Sequence, residues 1–417
     1  MRYRLLAGAV GGVPVSLAAH HELHGEAPTL GRHDADALIR TVAEAGLKGR
    51  GGAGFPAATK MAVVAGSTRP VVVVNGTEGE PMSAKDRVLL ATTPHLVLDG
   101  AEIAAQAVGA RECIVVAPSD ELPALHAAVG ERRRLPRSGV RMKLKAAATG
   151  FVAGEETAVL AHLEGRAPLP RLVPPRPAER GYRGRPTLVN NVETLAHLAL
   201  IARHGSGWFR SIGAAGRPGT TLVTLSGAVQ APGVYEVPCG VPMPELLASA
   251  GGTTEPVRAL LVGGYSGAWV DGDGRGLTLD DASLRKAHAI PGAGVVVALG
   301  ESDCPVAETA RLAAWLSQES ANQCGPCVHG LDSLSELLER AAAGRRLKGD
   351  RERLTRWTGM VIGRGACQHP TGTARMIASA ARVFETEFAD HARHGRCYAC
   401  ATSRVLLTPR RRQSRAA

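Results

Sequence analysis

The chain has 417 residues, a net charge of +11, 45% apolar residues and 3% aromatics, with no apolar run of about eighteen residues that could span a membrane as a helix. Fifty glycines and 26 prolines beside that apolar content point to an α/β protein of several domains with real cores, and eight cysteines over this length exclude a disulfide scaffold. The charge gathers partly in residues 132–145 (seven basic side chains) and 409–415 (four); these read as solvated faces or as docking sites for acidic electron carriers, and no nucleic-acid motif accompanies them.

Residues 1–29 start like a signal peptide, but Gly8, Gly11, Gly12 and Pro14 interrupt the apolar run. Two short strands around a Gly-Gly turn fit better, which leaves the chain cytoplasmic. Next, "DADALIRTVAEAG" places Leu38, Ile39, Val42 and Ala45 at helical spacing, with Asp34 as N-cap and Gly46 as the stop. Gly49-Arg50-Gly51-Gly52-Ala53-Gly54 then matches G-x-G-x-x-G. That pattern marks a dinucleotide only when it follows a strand, and here it follows a helix.

"RPVVVVNGTEGEP" (69–81) reads as a buried strand ending in a polar turn, where ligands of open α/β sheets bind. A helix, the strand "ECIVVAP" and another helix follow, giving the βαβα order of a parallel sheet. Glu155, Glu156 and Thr157 open a helix with acids in its first turn, where its dipole favours them. After a proline-rich crossing (168–177), Asn190-Asn191-Val192-Glu193-Thr194 starts another helix, whose amides suit a phosphate. From about 216 to 302 the texture is β-rich with one short helix, a β-grasp-like module; 303–395 is helical; 396–417 is a basic tail with a C-x-x-C pair.

Cys113 and Cys239 stand alone, as buried thiols do, and Cys304 also reads as merely buried. Cys324 with Cys327, and Cys397 with Cys400, form C-x-x-C pairs, which favour metal over disulfide in a chain without an export signal.

The motifs "GLKGRGGAGFP", "NGTEGEPMSAKDR", "AGEETAVLAHLEG", "PRLVPP", "GRPTLVNNVETL", "SGAVQAPGVYEVP" and "ES-x3-CGPC", in this order, resemble the NADH-binding flavoprotein subunit of respiratory complex I and its soluble relatives, over about residues 30–390. The resemblance implies a Rossmann-like FMN-binding α/β domain (30–215), a ubiquitin-like β-grasp domain of the SLBB type (216–302) and a helical domain with a [4Fe-4S] cluster (303–395). Carried over by position, Gly49, Gly51, Gly52, Lys60, Asn75, Glu78, Gly154, Glu155, Glu156, Asn190 and Asn191 contact the flavin, and Phe55 and Glu80 the nicotinamide nucleotide. Cys324, Cys327 and Cys367 ligate the cluster.

The departures from that pattern carry information too. Two ring positions that stack on the nucleotide are Val63 and Arg176, a lysine position is Val173, and near the flavin an expected Asp is Thr77 and an expected Tyr is Phe151. The first cluster cysteine is Ala321, which cannot ligate iron. A fourth ligand then comes from Cys397, Cys400, Asn322, His369 or solvent, or else the site holds a three-iron cluster, zinc or nothing. The expected function is oxidation of NADH or NADPH at FMN, with single electrons passed through the cluster to a ferredoxin, a quinone-reductase partner or another subunit; any membrane association is through partners. An FMN carrier fed by a protein donor, and a non-redox scaffold, are the alternatives.

Overall fold

The computed structural model describes residues 3–31, 34–134, 139–345 and 348–409. Its first sheet consists of β1 (Val71–Asn75), β2 (Glu112–Ala117), β3 (Arg141–Ala146) and β4 (Thr187–Asn191). The order is β3-β2-β1-β4 and every pairing is parallel. Val71 to Val74 are wholly buried, as an inner strand of a parallel sheet covered on both faces requires. β3 closes one edge with Arg141, Lys143 and Lys145, charges that discourage further strand pairing. So part of the basic run is a sheet edge and part a short 3-10 turn, Arg132–Arg134; residues 135–138 and 410–417, which hold Arg137 and the four tail arginines, lie outside the described residues.

Helices Asp34–Ala45, Pro94–Val108 and Val192–Arg210 supply the main core beside this sheet. Helix Pro94–Val108 is buried nearly all round because it lies against Val192–Arg210. At Gly100 a Cβ would come within 1.9 Å of the Leu195 carbonyl oxygen, so only glycine permits that approach.

A small hairpin, β5 (Gly213–Ala214) with β6 (Arg217–Pro218), leads into a five-stranded sheet. Its strands are β7 (Thr220–Gly227), β8 (Gly233–Pro238), β9 (Val257–Val262), β10 (Ala268–Asp271) and β11 (Val295–Gly300), ordered β10-β9-β11-β7-β8. β11 runs parallel to β7 while the other pairs are antiparallel, the expected β-grasp arrangement. Helix Met243–Ser249 covers one face; the other face, with Leu261, Trp269 and Val297, packs on the helical domain through Ile377 and Phe384.

That last domain contains helices Pro305–Gln318, Asp332–Ala342, Asp350–Val361, His369–Val383 and Glu385–His394. After them the chain folds back. Arg311 donates to the Leu406 carbonyl at 2.6 Å, Trp315 Nε1 to that of Pro409 at 2.8 Å, and the Tyr265 hydroxyl to that of Leu407 at 2.5 Å. The Leu407 amide reaches Met82 Sδ at 3.4 Å, so this strap touches all three domains.

At the N-terminus neither of the two expected strands forms among the described residues. A single bridge, Val10 with Val13, surrounds Gly11-Gly12, and helix Leu17–His24 follows, capped by Ser16. The amides of Arg4, Leu5 and Leu6 all donate to the buried Glu236 carboxylate on β8, which pins this segment to the β-grasp module. No single helix among the described residues is long and apolar enough to cross a membrane; one pair, Lys85–Thr92 with Pro94–Val108, passes only jointly and is bent by 96°.

Candidate functional site

From β1 the chain steps outward to β2 and β3, then returns to β4 on the other side of β1. The crevice beyond the carboxyl ends of β1 and β4 is therefore the sheet's switch point, where side connections diverge and a ligand can enter. Asn75 and Asn191, the last residues of those strands, are direct register partners there. Asn191 caps the long helix that follows, its Oδ1 accepting from the Glu193 amide at 3.0 Å. Its Nδ2 donates to Asp86 Oδ2 at 2.5 Å, and Asn190 beside it is buried.

The glycine loop arches over this crevice. The Gly49 amide donates to the Phe55 carbonyl at 2.8 Å and closes the loop, while Gly52 adopts φ +106°, which side chains rarely tolerate. A Cβ on Gly51 would stand 3.4 Å from that of Asn191, so the loop backbone lies directly above the strand end. On one flank Lys60 Nζ donates to Glu156 Oε2 at 2.6 Å and to the Val189 carbonyl at 3.2 Å. On another, Asn75 Nδ2 donates to the Gly154 carbonyl at 2.9 Å. Thr77 Oγ1 is buried here without a hydrogen-bond partner, an orphan that a bound group would satisfy. Bare glycine backbone, one cation, a helix N-terminus and an unpaired hydroxyl fit the flat ring and phosphate of FMN.

Some of the predicted contacts have other duties. Glu78, at φ +43°, accepts from the amides of Asp86 (2.9 Å) and Arg87 (3.0 Å) and so caps helix Lys85–Thr92. Glu155 caps helix Glu156–Leu163 by accepting from Thr157 and Ala158 amides. Glu80 turns toward the β-grasp module, where its Oε2 accepts from the Tyr265 amide at 2.9 Å. Burial pushes the Glu80 carboxyl up to about 7 against those amide hydrogen bonds.

A layer missed in the sequence lies beneath the loop. Arg50, Lys85, Asp86 and Glu193 are buried and mutually paired: Lys85 Nζ is 2.5 Å from Asp86 Oδ1 and 3.1 Å from Glu193 Oε2, and Arg50 Nε is 3.6 Å from Glu193 Oε1. Burial opposes the charge on Lys85, but Asp86 and Glu193 outweigh it and hold the ammonium protonated. Glu193 also accepts from the Leu222 amide at 3.1 Å and Arg50 donates to the Thr220 carbonyl at 3.1 Å, which welds the crevice to β7. Charged residues inside three of the quoted motifs were the available signal.

On the outer side of the loop, Phe55, Val63 and Val173 are exposed at 38%, 50% and 37%, and Arg176 is exposed as well. Helix Ala57–Val64 packs against Pro177–Arg180, which brings the Val63 and Arg176 elements together.

In the helical domain Cys327 lies in a π-turn, Pro326–Leu331, with half-buried Cys324 just before it and half-buried Cys367 just before helix His369–Val383. Burial pushes the Cys327 thiol up to about 12, and the nearby Cys324 and Cys367 add to that. Three thiols suit a site whose positive iron would make thiolates of them. Cys397 and Cys400 do not join them. The tail does fold back, but onto Cys304 and His391 at the other end of helix Pro305–Gln318, so Cys304 is not simply a buried thiol. Phe151 sits between crevice and cluster domain, 5.6 Å from the Trp315 ring and 5.4 Å from that of His369, while its carbonyl would lie 2.7 Å from a Cβ at Gly79.

Family profiles match three stretches of the chain: the Nuo51 FMN-binding domain over residues 42–200, the SLBB domain over 222–265, and the NADH-ubiquinone oxidoreductase-F iron-sulfur binding region over 307–391. The F 2 subunit of NADH-quinone oxidoreductase in Rhizobium meliloti is 34% identical over 88% of this chain and 91% of its own length. The chain belongs to the NADH-ubiquinone oxidoreductase-F family. The corresponding F subunit of Mycobacterium tuberculosis is 35% identical over 87% of this chain and 86% of its own. An NAD+-reducing [NiFe]-hydrogenase chain in the H2-reduced state has a TM-score of 0.79 at 31% identity over 93% of this chain, which spans only 66% of that one. As an oxidoreductase-F family member the chain is an NADH:acceptor oxidoreductase with FMN and a [4Fe-4S] cluster as cofactors.

Proposed function

We propose that this chain is the electron-entry subunit of a larger assembly, binding NADH over an FMN in the β1–β4 crevice and passing electrons singly to a partner subunit or ferredoxin. The observation that carries this reading is the crevice itself, a switch-point cradle with an orphaned Thr77 hydroxyl, joined through Phe151 to the cysteine-bearing domain. FMN supplies the conversion of a two-electron hydride into single electrons. The chain's part is placement. Gly51 and Gly52 admit the ring, Lys60 and the helix opened by Asn191 hold anionic oxygens, and Thr77 donates one hydrogen bond. Phe151 fills the gap toward the cluster and keeps water out.

Cys324, Cys327 and Cys367 supply three cluster ligands. For the fourth iron the favoured residue is His369: its Nε2, 2.9 Å from the Leu316 carbonyl, must donate there, and this leaves a lone pair on the buried, unpartnered Nδ1.

Two lost rings, Val63 and Arg176, weaken adenine stacking by about 1–3 kcal/mol, or ten- to a hundredfold in affinity. That erosion favours a second reading, an FMN carrier reduced by an acidic protein docked on the basic surface. Exposed Arg176 also suits the 2′-phosphate of NADPH. Any attachment to a membrane is through partner subunits, on the cytoplasmic side. An anaerobic titration of the FMN-loaded protein decides: bleaching of the flavin by NADH supports the first reading, preferential bleaching by NADPH changes the donor, and reduction by dithionite alone leaves the second.

A further inference from the structure

Outside the three-cysteine site, four soft donor atoms converge where no motif of the family calls for them. Cys304 caps helix Pro305–Gln318, its Sγ accepting from the Ala307 amide at 3.3 Å. Helix Glu385–His394 brings His391 Nε2 to 3.6 Å from that sulfur. The turn Tyr398–Cys400 then sets Cys400 Sγ 3.5 Å from Cys304 Sγ, 3.5 Å from Cys397 Sγ and 3.8 Å from His391 Nε2. All four donors lie within 4.8 Å of one another.

These edges have the size of one ion's coordination shell. With Zn–S of about 2.3 Å and Zn–N of about 2.0–2.1 Å, a tetrahedron has S···S edges of about 3.8 Å and S···N edges of about 3.6 Å. A cubane cluster places each thiolate on a different iron and needs the sulfurs spread around it; these are already near contact. The group also lies at the start of helix Pro305–Gln318, about 21 Å long at 1.5 Å per residue, whereas Cys324 follows its far end. We infer that Cys304, His391, Cys397 and Cys400 form a closed tetrahedral zinc site, separate from the iron–sulfur cluster. Three thiolates and one imidazole, with a C-x-x-C pair among them, are a structural zinc donor set, and four protein ligands leave no open position for chemistry. Cys304, His391 and Cys400 are buried while Cys397 is exposed, so the ion enters from the Cys397 side. Zinc here fastens the start of the strap to both ends of the helical domain, just before Ser403 binds Asp303 at 3.0 Å and Glu308 at 2.9 Å.

The inference does not depend on flavin or nucleotide chemistry, and the test reads metal alone. Full-length protein from zinc- and iron-supplemented cells, purified anaerobically with reductant, is analysed for both metals and by zinc-edge X-ray absorption. Expected are stoichiometric zinc and a shell of three sulfurs at about 2.3 Å and one nitrogen at about 2.0–2.1 Å. Cys397→Ser, at an exposed side chain, loses zinc and keeps iron; Cys327→Ser does the reverse. His391→Cys keeps zinc but shows an all-sulfur shell, which covers the case of a Cys397 variant that folds poorly. Zinc absent from the wild type, zinc unaltered in Cys397→Ser, iron lost together with zinc in that variant, or nitrogen persisting in His391→Cys would each overturn the assignment.

Discussion

Lys60 and Glu156 meet at the flank of the crevice at 2.6 Å with about a quarter to a third of each side chain exposed, so the pair is accessible and its ammonium retains protons to share with an anionic ligand. A hydrogen bond to a charged group contributes about 1.5–3 kcal/mol, so Lys60→Ala weakens FMN retention about ten- to a hundredfold, read as flavin released on dilution. Glu80 gives a pH signature. Its folded pKa of about 7 lies above the ordinary 4.5, so the folded state holds a proton that the unfolded state has lost. Glu80 therefore supports stability below about pH 4.5, and that support fades as pH rises to about 7. Thermal midpoints of wild type should fall relative to Glu80→Gln across that window, and parallel curves would refute the shift. At this scale the sequence showed which residues gather but not their duties. Glu78 and Glu155 stand at helix starts, and whether such a carboxylate faces a ligand or its own helix amides is set by backbone angles that no motif spells out.

Among the elements, the π-turn Pro326–Leu331 matters most to the cluster. It follows Cys324 directly, so Cys324 and Cys327 lie on consecutive turns of backbone, and the Val328 amide donates to the Cys324 carbonyl at 3.0 Å. Ala321 precedes Cys324 by three residues, and its backbone hydrogen-bonds the Cys327 thiol. Ala321→Cys therefore supplies a fourth thiolate and should slow cluster loss in air relative to wild type. Unchanged lability would mean that the fourth iron is already well held. The strands and most helices were legible from hydrophobic runs and glycine stops, because burial on two faces leaves an unbroken β-branched run such as Val71–Val74. The N-terminus was not: its two expected strands reduce to the Val10–Val13 bridge, and "SLAAHHELH" carries a helix cap in Ser16 that the glycine-rich context obscured.

Across the whole molecule, the buried charges under the glycine loop join domains rather than bind ligand. Glu193 carries two cations and two β7 donors, and Lys85 and Arg50 hold it ionised although burial alone would raise its pKa. Removing one member of such a buried pair costs about 3–5 kcal/mol, so Glu193→Ala should lower the melting temperature and release flavin together, with Glu193→Gln milder. Loss of flavin with no change in melting would place Glu193 at the ligand instead. The charges were visible in the motifs, but their joining was not, because Arg50 meets Thr220 across 170 residues of chain, and periodicity reports only local neighbours.

The strap from Leu406 to Pro409 has a mechanical meaning. It is gripped by Arg311 and Trp315 on the cluster domain, by Tyr265 on the β-grasp module and by Met82 on the flavin domain. A force applied to the chain beyond Pro409 is thus divided among three anchorages at once, and the molecule resists it as a single loaded body instead of shedding its helical domain first.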